Sequence, residues 1–296
     1  MVSFSILQDR GLLTVGGADR SSFLQGLISN DINSVTPDCA IWSALLTPQG
    51  KYLYDFFITE FEGRYLLDCE AARLMDLGRR LSKYKLRASV DLGKEEGMVV
   101  LAVYGDGVGE CFGLTENPGE VAAFRDGIAF VDPRLADMGV RTILGKKSAK
   151  AALESIELEE VSAENYDTFR LGLGIPDGSR DMIVEKSILL ESNFEELNGV
   201  DWEKGCYMGQ ELTARTKYRG LLKKRMVPVD IEGHEPSIGA AILCDERQVG
   251  EMRSARSGLG IALMRLEYLE RAVTGEIKLV AEGAIITPRK PEWADF

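Results

Sequence analysis

The chain has 296 residues, 45% of them hydrophobic, and a formal net charge of −12. This length exceeds that of most compact single domains, so two or three domains with buried cores are expected. The negative charge repels nucleic-acid phosphates and therefore argues against direct nucleic-acid binding. No apolar run is long enough to cross a membrane and no targeting leader is recognisable, so we expect a cytoplasmic protein without a membrane partner.

The first hundred residues alternate short strands with amphipathic helices. Apolar residues at spacings of three and four predict helices over 19–32 and 71–86, and short apolar runs predict strands around them. The predicted strands cover 11–15, 40–46, 52–60, 64–69 and 98–103. Short strands flanking helices, without long Gly-terminated crossovers, indicate antiparallel α+β sheets of ferredoxin-like type.

The second half of the chain changes from helical to strand periodicity. A helix is predicted where Tyr166, Phe169, Arg170 and Leu173 lie one turn apart, and another is predicted over 210–218. Repeated short strands then follow, separated by Gly, Pro and charged turns. They cover 225–231, 240–244, 248–252, 260–265, 276–280 and 284–287. This pattern predicts a small all-β barrel at the C-terminal end.

The cysteine and histidine content limits the metal and redox chemistry open to one chain. The five cysteines are widely spaced and form no CxxC pair, and the only histidine is His234. An odd number of scattered cysteines argues against a disulfide framework and for a reducing compartment. We therefore expect no zinc site or iron–sulfur cluster held within one chain.

Cys206 lies in the segment Lys204-Gly-Cys-Tyr-Met-Gly-Gln-Glu211, just before the predicted helix. A lysine two residues away and the partly positive start of a helix would both favour the thiolate, which is the nucleophilic and metal-binding form. Taken alone, the spacing favours the more common role of a lone cysteine, that of a small buried hydrophobic side chain.

Two basic runs interrupt the acidic surface. One extends from Arg215 to Arg225 and the other from Arg79 to Arg87, and neither contains an acidic residue. Each run is a candidate site for an anionic ligand or a solvated helix face.

The segment around Cys206 closely resembles the signature of the YgfZ family. These folate-binding proteins are needed to assemble or maintain iron–sulfur clusters, and the family includes a mitochondrial assembly factor. Further family-like stretches are collinear along most of the chain, among them Phe23-Leu-Gln-Gly26, Thr47-Pro-Gln-Gly-Lys51 and Leu190-Glu-Ser-Asn193. The last of these also suggests the mitochondrial-type branch.

The resemblance implies the architecture of the wider superfamily that includes the glycine-cleavage T-protein, an aminomethyltransferase. In that α+β architecture, two interleaved ferredoxin-like antiparallel domains surround a central folate pocket, and a β-barrel follows. The expected divisions are 1–48 with 128–222 as a first folate-binding domain, 49–127 as a second domain, and 223–296 as the barrel.

The resemblance also directs attention to particular residues. We expect tetrahydrofolate, or a polyglutamylated derivative, to be bound through a carboxylate that accepts the pterin N–H donors and through nearby polar and basic groups. The candidates are Glu191, Asn193, Lys204, Tyr207, Gln210, Glu211 and Arg215. One of the two basic runs would attract the polyglutamate tail.

Two residues are candidates for the chemistry. Cys206 is a candidate ligand to a transient cluster shared with a partner, a candidate redox thiol and a candidate nucleophile. The T-protein carries two adjacent aspartates, one of them catalytic, whereas the comparable place here reads Tyr54-Asp55. Asp55 remains a candidate base.

The function expected from these features is that of a folate-binding accessory protein that works with iron–sulfur assembly or client proteins. The alternative is a tetrahydrofolate-dependent aminomethyl- or methyltransferase, which would make the protein an enzyme. A role as a scaffold for RNA modification is disfavoured by the net charge.

Overall fold

A computed structural model describes residues 2–220 and 222–294 of the chain. These residues form two compact units, each assembled from separate stretches of sequence. The first unit contains Met1–Leu46, Leu53–Ala163 and Leu197–Met208, and the second contains Thr47–Tyr52, Glu164–Glu196 and Gly209–Phe296.

Among its described residues, the first unit contains two β-sheets and three α-helices. Its strands are β1 (Ser3–Ile6), β2 (Arg10–Gly16), β3 (Ile41–Leu46), β4 (Tyr52–Phe61), β5 (Arg64–Glu70), β6 (Asp91–Glu95), β7 (Met98–Tyr104), β8 (Val121–Phe124), β9 (Gly127–Val131), β10 (Val140–Gly145) and β11 (Glu159–Glu160). Its helices are α1 (Arg20–Gln25), α2 (Leu74–Lys85) and α3 (Ala149–Glu154). One sheet has the order β3-β4-β5-β2-β6 and the other the order β11-β1-β7-β10-β9-β8.

Most strand pairs in the first unit are antiparallel, as the sequence predicts. Strand β2 pairs antiparallel with β5 and β6, and β7 pairs antiparallel with β1 and β10. The short pairing of β1 with β11 is parallel. Strands β4 and β5, which the sequence predicts, form an antiparallel hairpin about Glu62-Gly63, with Phe61 opposite Arg64.

A buried group of three charged side chains joins the two sheets of the first unit. Asp68 on β5 accepts from Arg10 Nε on β2 at 2.7 Å and from Arg141 Nη2 on β10 at 2.5 Å. Both guanidinium groups also lie over the ring of Phe57, at 5.7 and 4.1 Å from its centroid. Burial alone would raise the pKa of Asp68, but the two arginines hold it below its ordinary value.

Helix α1 is shorter than the predicted helix over 19–32, because polar side chains bind backbone groups outside the helix. The helix ends at Gln25, and the side chains of Ser29 and Asn30 form hydrogen bonds with the backbone of β3. Ser29 Oγ accepts from the N–H of Ala44 on β3 at 2.9 Å, and Asn30 Nδ2 donates to the carbonyl of Trp42 at 2.8 Å. Serine and asparagine compete with helical hydrogen bonds in this way.

The described part of the second unit contains four α-helices and a closed barrel. The helices are α4 (Ala163–Leu173), α5 (Gly178–Asp181), α6 (Gln210–Tyr218) and α7 (Leu266–Val273). The strands are β12 (Lys224–Glu232), β13 (Ala241–Cys244), β14 (Arg247–Arg256), β15 (Leu259–Arg265), β16 (Leu279–Ala281) and β17 (Ala284–Pro288). They close in the order β12-β15-β14-β13-β16-β17 around buried Val, Ile, Leu, Met and Ala side chains.

The predicted fold class is confirmed, including the C-terminal barrel, whose six strands all overlap the predicted ones. Helix α7, which connects β15 to β16, was not predicted from the sequence. The division at 48, 127 and 222 stays a prediction, and its outer limits at residues 1 and 296 lie outside the described residues.

We predict that Asp68→Ala lowers the free energy of unfolding by about 3–5 kcal/mol, because two guanidinium groups would remain buried without their carboxylate. Chemical denaturation of purified protein measures this change. The matched control is Glu154→Ala, which removes an exposed partner of Lys150 and should leave the unfolding midpoint unchanged. Equal effects of the two substitutions would contradict the structural role of Asp68.

Candidate functional site

The loop 197–208 carries Cys206 and is folded onto the first unit by backbone hydrogen bonds. The carboxylate of Asp201 accepts from the N–H groups of Glu203 and Lys204 at 2.7 and 2.9 Å. The N–H of Asp201 in turn donates to the carbonyl of Ser29 at 3.1 Å. This Asp-centred turn fixes the start of the segment that ends in Cys206.

Lys204 attaches the same loop to the chain between α1 and β3. Its Nζ donates to the carbonyls of Ile28 and Asn30, both at 2.6 Å. Burial lowers the pKa of Lys204 to about 8, although the charges of Asp31 and Asp201 oppose this change. Two of its donor positions are therefore used inside the first unit, and its observed role is to hold the loop.

The end of helix α1 supplies two further attachments. Gln25 Nε2 donates to the carbonyl of Lys204 at 3.2 Å, while its Oε1 accepts from the N–H of Ile32 at 3.0 Å. The N–H of Met208 donates to the carbonyl of Gly26 at 3.0 Å. The loop is thus held on both sides of Cys206.

Cys206 itself is exposed to solvent. It follows Gly205 at φ 90° and precedes Gly209 at φ 82°, and both angles lie in the left-handed region that favours glycine. By contrast, Cys69 is buried, and burial raises the pKa of its thiol to about 12. An accessible thiol on an anchored loop can contact a second molecule without rearrangement of the fold.

Tyr207 and Asp55 are the other predicted site residues of the first unit, and both are buried. The ring centroid of Tyr207 lies 5.2 Å from Lys204 Nζ. Asp55 on β4 accepts from the indole N–H of Trp42 at 3.1 Å. Tyr54, next to Asp55, bonds to Asp76 instead, and burial together with that contact raises the pKa of Tyr54 to about 12.

Glu191 lies in the second unit, in a single 3-10 turn over Leu189–Ser192. Burial raises the pKa of its carboxyl group, and the positive charges of Lys224, Lys51 and Arg253 oppose this change. Glu191 is therefore a half-buried acceptor among three cations.

Arg253 contributes a buried cation to the surroundings of Glu191. Its side chain is 6% exposed, and Nη1 donates to Glu251 at 2.6 Å. Its Nε is buried and has no hydrogen-bond partner within residues 2–220 and 222–294. A buried donor without a partner costs free energy and is a feature expected where a ligand completes the arrangement.

Asn193, another predicted ligand-binding residue, has its side-chain amide engaged by other groups of the second unit. It is fully buried at φ 60°, and it connects the turn to the barrel. Its Nδ2 donates to the carbonyl of Met226 at 2.8 Å, and its Oδ1 accepts from Arg225 at 3.1 Å. Arg225 also pairs with Glu196 at 2.6 Å. The observed contacts of Asn193 hold the turn that carries Glu191.

Helix α6 begins at Gln210, as predicted, and displays part of the basic run. Glu211 and Arg215 are exposed on it. Lys217 is paired with Glu195 at 2.5 Å. Within the run from Arg215 to Arg225, the exposed basic residues that form no ion pair with a described residue are Arg215, Arg219 and Lys223.

The structure brings some candidates together within a unit and separates others. Lys204, Cys206 and Tyr207 share one loop of the first unit, and Glu191 and Asn193 share one turn of the second. The importance of Gln25 and Lys51 had a sequence signal, since both fall in family-like stretches. Arg253 had none, because only barrel formation places it near Glu191.

Comparison with known proteins first defines the class of fold. Residues 223–296 match the family described as the CAF17 C-terminal β-barrel domain. The crystal structure of the glycine cleavage system aminomethyltransferase T from Bartonella henselae is similar over 99% of this chain and 86% of that chain. The TM-score is 0.79 at 17% sequence identity, so this likeness defines an aminomethyltransferase-type fold and no more.

Sequence relatives then define the family. The chain belongs to the family of the iron–sulfur cluster assembly factor IBA57. The human mitochondrial protein of that name is 32% identical over 97% of this chain and 84% of its own length, and the mouse protein is 31% identical with the same coverage. A mitochondrial homolog from Neurospora crassa is 34% identical over 79% of this chain and 55% of its own length.

These relatives correct one prediction and refine another. The expectation of a cytoplasmic protein is wrong, because the named relatives are mitochondrial proteins. The superfamily inferred from the motifs is confirmed, and the mitochondrial-type branch is the one to which the relatives belong. Among the described residues, no helix is both long and apolar enough to cross a membrane.

We predict that Lys204→Ala lowers the free energy of unfolding by about 1–3 kcal/mol, because the carbonyls of Ile28 and Asn30 lose their donor. Lys204→Met should have a similar effect, since it keeps an apolar stem without the ammonium. Lys223→Ala, at an exposed lysine without an ion pair to a described residue, should change stability by less than about 0.5 kcal/mol. Urea titration compares the three variants, and a fully stable Lys204→Met protein would contradict the proposed attachment.

Proposed function

We propose that this protein is a tetrahydrofolate-binding accessory factor in iron–sulfur cluster assembly and that Cys206 is its functional thiol. The observation that carries the proposal is the exposed Cys206 on an anchored loop, in a chain that belongs to a family named for iron–sulfur cluster assembly. The folate component is inferred from the family resemblance and the chemistry around Glu191.

The residues around Glu191 are compatible with a reduced folate. A pterin offers N–H donors that a carboxylate can accept, and a folate tail is anionic. Glu191 supplies the carboxylate, Lys51, Lys224 and Arg253 supply positive charge, and the buried Nε of Arg253 supplies a free donor. Tetrahydrofolate carries one-carbon units on its reduced pterin.

The surrounding protein keeps this arrangement in place. Asn193 and Arg225 hold the turn of Glu191 against the barrel, so the carboxylate has a fixed position before a ligand arrives. The exposed charges of Arg215, Arg219 and Lys223 would attract the anionic glutamates of a polyglutamylated derivative. Gln210 and Glu211, at the start of α6, remain candidate contacts.

Cys206 would act on an iron–sulfur cluster as cargo shared with an assembly or client protein. A cluster is bound through cysteine thiolates, and an exposed thiol can supply one ligand while the partner supplies the others. Lys204 Nζ donates to the carbonyls of Ile28 and Asn30. The proposed role of Cys206 as a cluster ligand therefore does not depend on activation of the thiol by this lysine.

An aminomethyltransferase is the second candidate, favoured by the fold shared with aminomethyltransferase T. Asp55 would then be the base, yet it is only 4% exposed and accepts the indole N–H of Trp42. Formation of methylenetetrahydrofolate from an aminomethylated carrier protein would support this candidate over the accessory role.

We expect Glu191→Gln to weaken tetrahydrofolate binding about tenfold or more, because an amide oxygen replaces a charged acceptor and introduces a competing donor. Binding to the unaltered protein should weaken as the pH falls through the raised pKa of Glu191, since the carboxylate is the binding form. The Glu191→Gln variant should lack this pH dependence, because an amide does not titrate in this range.

Fluorescence titration using Trp42, Trp202 and Trp293 measures this affinity. Glu232→Gln, at an exposed carboxylate, is the matched control and should bind as the unaltered protein does. Equal affinities of the Glu191 and Glu232 variants would refute the assignment of Glu191.

We expect Cys206→Ser to abolish rescue of iron–sulfur enzyme activity in cells that lack this protein, while tetrahydrofolate binding and stability are retained. The hydroxyl is a poor replacement for a thiolate ligand or nucleophile. Cys111→Ser is the matched control, because Cys111 is also an exposed free cysteine. Full rescue by the Cys206 variant would remove the thiol from the mechanism.

A further inference from the structure

A concave surface of the first unit lies between the α1 segment and the C-terminal end of α2. Its cavity volume is about 480 Å³. The floor includes Phe23, Gly26 and Leu27, and the opposite wall is formed by residues 84–88. We call this surface the α1–α2 groove.

One residue of the wall is both strained and exposed. Leu86, which follows the last turn of α2, has φ 44° and ψ −108°, and its side chain is 89% exposed. A positive φ is costly for a residue with a branched side chain, and such strain is concentrated at functional positions. The neighbouring Tyr84 is 41% exposed.

The exposure of Leu86 is not the result of a loosely attached segment. The N–H of Asp19 donates to the carbonyl of Ser89 at 3.1 Å, and the N–H of Ser89 donates back to the Asp19 carboxylate at 2.7 Å. The N–H of Ala88 also donates to the carbonyl of Lys85 at 2.8 Å. These bonds fix the backbone on the C-terminal side of Leu86, so an apolar side chain is held in water.

The charge around the groove is positive, in contrast to the net charge of the protein. Residues 77–90 contain five basic residues and no acidic one; the basic residues are Arg79, Arg80, Lys83, Lys85 and Arg87. Arg80 is paired with Asp76, whereas the other four form no ion pair with a described residue. Asp19 also lines the groove, and its carboxylate is engaged by the N–H of Ser89.

We propose that the α1–α2 groove is a docking site for an acidic segment of a partner protein, with a bulky apolar side chain packed against Leu86 and Phe23. The basic residues around the groove attract an acidic segment, and the exposed Leu86 supplies an apolar anchor for its bulky side chain. An oligoglutamate tail has no apolar side chain that could pack against Leu86.

The groove also lies beside the anchored loop of Cys206. Gly26, which lines the groove, accepts the N–H of Met208, two residues after Cys206. A partner held here would be brought near the exposed thiol. All of these residues belong to the first unit, so docking in the groove does not depend on folate binding around Glu191.

The test uses a fluorescein-labelled acidic peptide with Leu and Phe at its centre and Asp and Glu on both sides. Fluorescence anisotropy should show saturable binding that weakens with added salt. Lys83→Glu with Arg87→Glu, and separately Leu86→Gly, should each weaken binding about tenfold or more. Leu86→Gly should also raise the unfolding temperature, because glycine relieves the positive φ. Unfolding temperature thus separates lost binding from lost folding.

The matched controls are in the barrel region, distant in sequence from the groove. Ile238→Asp alters an exposed apolar residue, and Lys278→Glu alters an exposed basic residue. Both should bind the peptide normally. No saturable binding, or binding unaffected by the groove variants, overturns the proposal. So does equal binding of a peptide with Ser in place of Leu and Phe, or of oligo-γ-glutamate.

Two other occupants have distinct signatures. If the groove variants weaken sedimentation with phosphatidylserine vesicles but peptide binding is absent, a membrane is the ligand and the proposal fails. If they abolish concentration-dependent self-association measured by sedimentation velocity, a second copy occupies the groove and the proposal also fails.

Discussion

The two hydrogen bonds from Lys204 to the carbonyls of Ile28 and Asn30 are the interaction on which the proposed cysteine site depends. A half-buried ammonium is unfavourable unless its donors are satisfied, and these two carbonyls accept from it. The same contact joins a loop late in the sequence to the connection between α1 and β3. Cys206 can therefore be exposed while the backbone beside it is held.

This arrangement changes the physical interpretation of the motif. A lysine two residues from a cysteine suggests electrostatic activation of the thiol, but Nζ is directed to backbone carbonyls instead. The turn of Glu191 follows the same principle in the second unit. The amide group of Asn193 is used by Met226 and Arg225, and Glu191 is left as the half-buried acceptor. Lys204 thus holds the loop that exposes the Cys206 thiol, and Asn193 holds the turn that presents the Glu191 carboxylate.

The sequence predicted the barrel well because its strands are short apolar runs separated by strong turn residues. It overestimated α1, because the apolar spacing continued to Ile32 while Ser29 and Asn30 formed bonds with β3 and its neighbours. The motif around Cys206 identified the relevant loop, yet its anchors at Gln25 and Gly26 depend on tertiary structure. Arg253 could not have been assigned, since nothing in its local sequence indicates that its charge acts on Glu191.

Amide hydrogen exchange of the unaltered protein tests whether the loop is held on both sides of the exposed Cys206. We expect slow exchange at Glu203, Lys204 and Met208, whose N–H groups donate to Asp201 and Gly26, and faster exchange at the exposed Gly205. Exchange at all of these amides at the rate of an unstructured peptide would contradict this expectation.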